Sequence, residues 1–397
     1  MSNELLNELL AKPTVTALPG GGLDPERHFT RQVEVSGNEA AVTVRGPAED
    51  VTEDAATAHL RSQGLDPAEW QASGFRSSEW TMANGETGVS ARYSYTRVRQ
   101  GSEAAGPDLD ELLASIKPYT PYRTGGRPDG DHGYIVALGD MQFGKIDGDG
   151  VEGTLRRTID CLDKAADLLD QYRLRFDIGH VHIAWLGDHI EGFVSQGGAN
   201  TWRTPLTLTE QIRLTRRVML HALGTFAPLA ERVTMAAVPG NHGEAVRLNG
   251  KGVTRYDDSH DTESLIAVAD AAKLHPVSFG HVEFYVPQTD ELTVVLDVAG
   301  TVVAHAHGHQ WRSGKHFDWW KGQAFNKASA MHQADLLLAG HLHHEHVDSD
   351  GPRTFIQPPA MESESTWWRH AKGTTGAPGL IVAVTKGGET SIKEVVR

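Results

Sequence analysis

The sequence predicts a layered α/β fold for most of the chain. From Gly133 onward, short apolar runs alternate with helix-patterned segments, as strands and helices alternate in α/β domains. Five of the apolar runs end directly in polar residues: YIVALGD, HVHIAWLGD, VTMAAVPGNH, TVVAHAHGH and DLLLAGHLHH. Helical segments such as TLRRTIDCLDKAADLLDQYR and LTEQIRLTRRVMLHAL are expected to cover the faces of the sheet.

Composition favours a globular chain over a membrane protein. The 397 residues are 39% hydrophobic and 22% charged, and no apolar run approaches the ~20 residues of a membrane span. The N-terminus, MSNELLNELLAKP, is acidic and lacks the basic and apolar regions of a secretory signal, so we expect a cytoplasmic location. The formal charge of −15 argues against non-specific binding of nucleic acid by the whole surface.

Shifts in composition predict four segments. Residues 1–27 comprise a short amphipathic helix and a turn-rich linker. Residues 28–100 contain a predicted strand pair, a helix and two further strands, which indicates a small α+β module of unknown role. Residues 101–132 are rich in turn formers and are predicted to be a second linker, and residues 133–397 form the larger domain. The module is a candidate platform for a partner protein or for assembly of a homo-oligomer.

Histidines concentrate in the last part of the larger domain. Nine of the 21 histidines lie between His305 and His346. A single Asp or His at a strand end is usually a turn or cap residue. In open α/β folds, however, the loops after the carboxyl ends of strands meet at one edge, where ligands bind. Five successive clusters that combine Asp, Asn and His with Gly therefore indicate a metal site.

These clusters resemble, in order and spacing, the motifs of the calcineurin-like metallophosphoesterases. The family motifs run Asp-x-His, Gly-Asp-x-x-Asp, Gly-Asn-His-Asp/Glu, His and Gly-His-x-His. Here they stand as GDMQ (139–142), GDHIE (187–191), GNHGE (240–244), HGH (307–309) and GHLH (340–343). The resemblance covers roughly residues 134–384 and implies a four-layer αββα sandwich, in which two mixed sheets pack together with helices outside. It says nothing about residues 1–132.

Carried over position by position, the resemblance implies a two-metal centre. It assigns the first ion to Asp140, Gln142, Asp188 and His343, and the second to Asp188, Asn241, His307 and His341. Asp188 would bridge the ions, because a carboxylate can present one oxygen to each, while neutral imidazole and amide groups complete the coordination. Two divalent ions about 3.5–4 Å apart would hold a phosphate and generate a hydroxide between them for in-line attack.

Two positions depart from the family pattern. Gln142 stands where the family usually has histidine, so it either coordinates the first ion, directly or through water, or only orients Asp140. A carboxamide oxygen is a harder and weaker ligand than imidazole. We therefore expect Mn²⁺, with Mg²⁺, Ni²⁺, Fe and Zn²⁺ as alternatives. The second departure is Gly243, which separates His242 from Glu244, the acidic residue expected to act with that histidine.

His242 is the expected catalytic histidine. It follows the ligand Asn241 without being a ligand itself, which would place it to stabilise the phosphate or to protonate the leaving oxygen. Other histidines near the motifs are interpreted as solvated or core residues: His305, His309, His344 and His346.

Basic residues and tryptophans near the motifs suggest a substrate. Arginine with exposed aromatic residues is the combination that holds phosphates and stacks bases, so Arg247, Trp202 and Arg203 are predicted to bind substrate. A nuclease acting on DNA or RNA, similar to the phage-type and DNA-repair branch of the family, is the leading hypothesis. The alternatives are a small-molecule phosphatase or nucleotide phosphodiesterase, and a non-catalytic binding protein on the same fold. Tryptophans at 319 and 320 and the helical arginines could instead be core and solvated-face residues, whereas Trp311 is counted with the possible stacking residues.

Overall fold

The structure is a computed structural model of the 397-residue chain, and its contacts divide the chain into two compact units, Met1–Ala104 and Ala105–Arg397. The residues that it describes are 30–36, 39–47, 53–62, 65–81, 87–97, 107–120, 128–194, 204–248, 251–252, 254–326, 329–363, 370, 373 and 376–397. The helix and linker predicted for residues 1–27 lie outside these ranges. None of the helices in the described segments has the length and apolar composition needed to cross a membrane.

The first unit contains one antiparallel sheet and one helix. Its elements are β1 (Thr30–Ser36), β2 (Glu39–Pro47), α1 (Glu53–Ser62), β3 (Trp70–Thr81) and β4 (Thr87–Arg97). The strand order is β1-β2-β4-β3. Alternate residues of the central strands, among them Val42, Val44, Ala91 and Tyr93, form the core with Leu60 of α1, as expected for a sheet with one buried face. These are the elements that the sequence predicts for the small module.

The second unit contains two mixed sheets and the helices that cover them. Its elements are α2 (Leu109–Ser115), β5 (His132–Leu138), α3 (Gly150–Tyr172), β6 (Ile178–Trp185), α4 (Leu208–Phe226), β7 (Arg232–Ala237), β8 (Arg247–Leu248), β9 (Lys251–Gly252), α5 (His260–Lys273), α6 (Pro276–Phe279), β10 (Val282–Tyr285), β11 (Val294–Val298), β12 (Thr301–His305), α7 (His316–Phe325), β13 (Leu336–Leu338), β14 (His346–Asp350), β15 (Arg353–Gln357), β16 (Leu380–Lys386) and β17 (Glu389–Val396). The larger sheet has the order β10-β7-β6-β5-β16-β17, and the smaller has the order β11-β12-β13-β15-β14.

The two sheets pack face to face, with helices on both outer faces. Ile135 and Ala184 of the larger sheet contact Val303 and Leu338 of the smaller sheet in an apolar inner layer. Helices α3, α4 and α5 cover the outer face of the larger sheet. Helix α7 covers the outer face of the smaller sheet through Trp320. The fold is therefore the expected four-layer αββα sandwich.

Strand composition follows from this layering. Strands β5, β6 and β7 run parallel and are covered on both faces, and every residue of β6 is buried. Parallel strands in such a position read as nearly continuous apolar runs, which is the pattern that identified them in the sequence. Helix α2 falls within the segment predicted to be a linker, yet its Leu112 is buried in the core of the second unit. The predicted domain limits stay a prediction.

A chain of hydrogen bonds crosses the inner layer. The Nδ1–H of His305 donates to the Val294 carbonyl at 3.1 Å, so its Nε2 accepts from the Nε2–H of His182 at 2.8 Å. His182 Nδ1 then accepts from the Thr234 hydroxyl at 2.8 Å, and that hydroxyl accepts from His180 Nε2–H at 2.9 Å. Burial lowers the pKa of His180 to about 3 and that of His305 to about 4, which keeps these rings neutral. The three buried histidines therefore form one directional chain.

Candidate metal centre

The polar loops of the two sheets meet at one edge of the sandwich. The backbone N–H of Asp140 donates to the Gly187 carbonyl at 3.0 Å, which joins the loops after β5 and β6. Gly340 N–H donates to the His307 carbonyl at 2.8 Å, which joins the loops after β12 and β13. The two pairs are connected by His341, whose N–H donates to Asp140 Oδ2 at 2.8 Å. The convergence expected from the strand ends is therefore present.

Asp188 lies at the centre of this edge. Its Oδ1 accepts a hydrogen bond from His242 N–H at 2.7 Å, and its Oδ2 lies 3.0 Å from His307 Nε2. Asp188, His307 and His341 each offer one donor atom, and these three atoms lie within 4.8 Å of one another. Asp188 and His307 are fully buried. The two oxygens of the Asp188 carboxylate therefore contact two different groups, the backbone N–H of His242 and the imidazole of His307.

Hydrogen-bond partners of Nδ1 orient the rings of His343 and His307. His343 Nδ1 lies 2.9 Å from Glu362 Oε1, and its Nε2 lies 3.3 Å from Asp140 Oδ1. His307 Nδ1 donates to the Leu186 carbonyl at 2.7 Å. In both rings Nδ1 is engaged by this partner, so Nε2 is the ring nitrogen directed toward a carboxylate of the site. Carboxylate and carbonyl partners of this kind fix the tautomer of metal-binding histidines.

Gln142 is held by a lysine. Lys145 Nζ donates to Gln142 Oε1 at 3.1 Å and contacts Glu362 Oε1 at 2.9 Å. Because Glu362 also contacts His343, these contacts keep the buried amide of Gln142 on the same side of the site as that ring. A cation bound there would compete with Lys145 for the amide oxygen.

Three buried atoms that could coordinate a cation have no well-formed hydrogen bond to a described residue: Asp140 Oδ1, Asn241 Oδ1 and His307 Nε2. Asp140 Oδ1 and His307 Nε2 have only the ionic contacts to His343 and Asp188 given above. Leaving a buried polar atom unsatisfied costs about 1–3 kcal/mol. All three belong to residues expected to coordinate cations, and bound divalent ions would satisfy them. The residues present therefore fit a metal centre.

The backbone at the site is unusual. Seven non-glycine residues in the described segments have positive φ, and five of them are expected ligands: Asp140 (52°), Gln142 (41°), Asp188 (52°), His341 (75°) and His343 (59°). Such a conformation costs about 1–3 kcal/mol and persists only where the surrounding structure enforces it, typically at ligand sites. The strain is thus concentrated on the residues whose side chains converge.

Asp261 ties two of the loops together and was not predicted from the sequence. Its Oδ2 accepts hydrogen bonds from the backbone N–H groups of Asp188 (3.0 Å) and Gly240 (2.8 Å), and its Oδ1 accepts from that of His189 (2.9 Å). The residue is fully buried. Asp261 lies two residues after Ser259, the N-cap of α5. In the sequence it therefore looks like an ordinary acidic residue in the first turn of a helix.

The acidic contact to His242 comes from Glu191. His242 Nδ1 lies 3.0 Å from the Glu191 carbonyl oxygen and 3.4 Å from its Oε2. Burial opposes protonation of the ring, but the nearby Asp188 and Glu191 outweigh it and raise the pKa of His242 to about 9. The second ring nitrogen, Nε2, is therefore the one available to a substrate.

Glu244, the expected partner of His242, forms a β-bridge with Ser259. Its proposed part in catalysis stays a prediction. The inserted Gly243 has a clear steric cause, because a Cβ at this position would lie 2.3 Å from Asp261 Oδ2. The glycine thus allows the GNHGE loop to approach the buried carboxylate.

The electrostatic potential at the site favours cations. Despite burial, Asp188 raises the pKa of His307 to about 9, and Asp140 with Glu362 raises that of His343 to about 10. In contrast, burial and the charge of His307 lower the pKa of His341 to about 4. The carboxylates therefore attract positive charge to the pocket, as a divalent ion requires.

The structure describes little of the residues that are predicted to bind substrate. Trp202 and Arg203 lie outside the described residues, and of Arg247 only the backbone, in β8, is described. Trp311 and Trp320 are buried in the apolar layer under α7, which makes them core residues and not base-stacking surfaces. Several basic residues considered with them form ion pairs: Arg216 with Glu263, Arg255 with Asp257, Lys315 with Asp318, and Lys321 with Asp350.

No family model matches the sequence, and no curated protein is similar to it. Three solved structures that align with the chain are a predicted phosphoesterase from Streptococcus pneumoniae TIGR4 (14% identity, TM-score 0.27, 64% of this chain and 84% of that chain), a Vps29 variant from Entamoeba histolytica (12%, 0.30, 66% and 99%) and an archaeal phosphodiesterase (11%, 0.30, 66% and 99%). TM-scores this low indicate little global similarity, and the fold class is defined by the sheets and helices described above.

Proposed function

We propose that this protein is a metal-dependent phosphoesterase that hydrolyses phosphodiester bonds. The observation that carries the proposal is the cluster of Asp188, His307 and His341, whose metal-binding atoms lie within 4.8 Å of one another. Beside it, the Asp140 carboxylate lies 3.3 Å from His343 Nε2 and accepts the backbone N–H of His341. Carboxylates and imidazoles gathered in this way are the ligands that metal-dependent hydrolases use.

The proposed assignment keeps two ions. Asp140, Gln142, Asp188 and His343 would hold the first, and Asp188, Asn241, His307 and His341 would hold the second. When bound, two divalent cations supply the Lewis acidity that activates water and neutralises the charge of a phosphate. We propose Mn²⁺ as the working ion, because the oxygen donors of Asp140, Gln142 and Asn241 are harder than imidazole and thiolate ligands.

His242 is proposed as the general acid. Its Nδ1 is engaged by Glu191, so a protonated ring can donate only from Nε2. The carboxylate of Glu191, 3.4 Å from Nδ1, favours the protonated ring. The ring can therefore protonate the oxygen that leaves phosphorus, a step that contributes about 10²–10⁴-fold to a rate. Glu191 and the N–H contact to Asp188 position the ring for this transfer.

For the substrate class, we propose a nucleic-acid diester, which would make the protein a nuclease. This proposal rests on Arg247, Trp202 and Arg203 in the sequence. Ion pairing of the neighbouring basic residues and burial of Trp311 weaken its support from the described surface. The alternative is a small-molecule phosphatase or nucleotide phosphodiesterase. The unit that contains residues 28–100 is proposed as the platform for a substrate or a partner protein.

A hydrolysis panel tests both levels of the proposal. The full chain, loaded in turn with Mn²⁺, Mg²⁺, Ni²⁺ and Zn²⁺, is assayed on DNA, RNA, dinucleotides and p-nitrophenyl phosphate. Release of nucleotides from DNA or RNA supports the nuclease, and turnover confined to monoesters supports the alternative. Absence of turnover with every metal and substrate would favour a non-catalytic binding protein on this fold.

A variant pair tests the role of His242. His242→Ala should lower kcat by at least about 10²-fold while the metal content stays near that of the wild type. His275→Ala is the control, because this exposed histidine lies at the start of α6. If His242→Ala lost activity and metal together, the residue would be a ligand and the proposed role would be wrong.

A further inference from the structure

A second group of metal-binding side chains lies at the outer layer of the smaller sheet. His316 is the first residue of α7, and His346 and Asp348 lie on β14. His346 and Asp348 are two residues apart on a strand, so their side chains share one face of the sheet. One donor atom from each of the three residues lies within 4.8 Å of the other two. None of the three is among the proposed ligands of the two-metal centre.

The geometry suits a metal ion. His316 Nε2 lies 3.0 Å from Asp348 Oδ2. Two ligand atoms that are each about 2.0–2.2 Å from a zinc ion are separated by about 3.0 Å at an octahedral angle and by about 3.4 Å at a tetrahedral angle. An ion can therefore take the place of the hydrogen atom between these two atoms with little movement of either side chain.

The donors are held in place by their neighbours. The buried His316 ring stacks on Phe355 at a centroid distance of 4.1 Å and an angle of 19°. The His346 ring meets His316 edge-on at 5.1 Å. Asp348 Oδ1 accepts the Ser349 N–H at 2.8 Å, which leaves Oδ2 for His316. A site with orientated donors requires less ordering on binding than a flexible one.

We propose that His316, His346 and Asp348 form a separate site for one transition-metal ion. Two imidazoles and one carboxylate suit Zn²⁺, Co²⁺ or Ni²⁺, whereas Mg²⁺ and Ca²⁺ prefer all-oxygen ligands. About half of the Asp348 side chain is exposed, so water can complete the coordination. The ion would join α7 to β14, which is an edge strand of the smaller sheet, and would stabilise the outer layer. The site is independent of the proposed hydrolase activity.

Counting bound Zn²⁺ tests the proposal. The full chain is treated with a chelator, titrated with Zn²⁺ by calorimetry and analysed for metal content. We expect three ions per wild-type chain and two per chain of His346→Ala, with the hydrolase activity of the variant unchanged. If the two-metal centre is wrong, the counts become one and zero, so the difference of one ion tests this site alone. Equal counts for wild type and His346→Ala would overturn the proposal.

A matched control and a second variant complete the test. His332→Ala removes an exposed histidine that follows α7 in the chain and should leave the count at the wild-type value. If the third ion were lost from His332→Ala as well, the assignment to His346 would be wrong. Asp348→Asn is nearly isosteric and partly exposed, so it serves if His346→Ala does not fold. It should weaken the binding of the third ion at least tenfold, and unchanged affinity would contradict the site.

Discussion

Asp261 accepts a hydrogen bond from the backbone N–H of Asp188 at 3.0 Å, and thereby fixes the residue at the centre of the site to helix α5. The same oxygen accepts the N–H of Gly240, the residue before Asn241. One buried carboxylate therefore sets the distance between the loops that carry two proposed ligands. This arrangement makes Asp261 a positioning residue that contacts no proposed ion.

Replacing Asp261 should damage both stability and metal binding. In Asp261→Asn, the amide nitrogen cannot accept the N–H groups that the carboxylate accepts. Hydrogen bonds to charged groups contribute about 1.5–3 kcal/mol, so we expect a loss of that order in the free energy of unfolding, with weaker Mn²⁺ binding. Urea denaturation and calorimetry measure the two effects. Asp270→Asn, on an exposed turn of the same helix, should change stability by less than about 0.5 kcal/mol. Equal effects of both variants would contradict the role of Asp261.

Glu362 should control the affinity of the first ion. Its carboxylate orients His343 through the 2.9 Å contact to Nδ1. Removing such a partner of a metal ligand typically lowers affinity or activity about 10–100-fold. We expect Glu362→Gln to weaken Mn²⁺ binding within this range in a metal titration. The exposed Glu345→Gln is the control and should bind Mn²⁺ like the wild type. If Glu362→Gln bound Mn²⁺ with wild-type affinity, the Glu362 carboxylate would not be needed to orient His343.

The hydrogen-bond chain in the inner layer should depend on the Thr234 hydroxyl. Thr234→Val keeps the shape of the side chain but leaves His182 Nδ1 and His180 Nε2 without their partner. Because each buried unsatisfied group costs about 1–3 kcal/mol, we expect a loss of at least about 2 kcal/mol in the free energy of unfolding. Thr225→Val is a matched control, since its buried hydroxyl has no hydrogen bond among the described residues. Chemical denaturation of both variants should separate them, and similar values would argue against the chain.

Acid should destabilise the protein through the same histidines. Burial lowers the pKa of His180 to about 3 in the folded state, whereas the unfolded value is about 6.5. Between these values the unfolded chain binds more protons, so stability falls as the pH falls below about 6.5, by up to about 1.4 kcal/mol per pH unit for one group. His180→Leu should therefore show a shallower decline between pH 6.5 and about 4 than the wild type. The exposed His275→Gln should leave the slope unchanged. A wild-type slope in His180→Leu would contradict this origin of the pH dependence.

The ends of the strands were the most predictable part of the molecule. Apolar runs such as that before Asp188 identified the strands, and the residues after them were expected to converge because parallel strands end at one edge. The contacts that orient those residues were not predictable. Asp261 and Glu362 lie in segments without a ligand motif, and they reach Asp188 and His343 only through the tertiary fold. Sequence spacing contains no signal for such contacts.

Nearness in the chain does not reveal every contact of the site. Glu244 is close to His242 in the sequence and its part in catalysis stays a prediction, whereas Glu191, from the preceding motif, lies 3.4 Å from the ring. The exposure of a tryptophan likewise depends on which face of a short helix meets the sheet. Trp320 of α7 packs inward and donates its Nε1–H to the Met331 carbonyl, so of the two interpretations that the sequence leaves open for this residue, the structure supports the core residue.

The left-handed backbone at Asp140, Asp188 and His343 has a consequence for how the proposed metal centre would be loaded. An unfolded chain has no reason to adopt these conformations, which only the completed sandwich enforces. A newly synthesised chain would therefore present scattered donors and no preformed pocket. The choice of metal would then be made after folding, by the affinity of the formed pocket for each ion together with the abundance of that ion in the surrounding compartment.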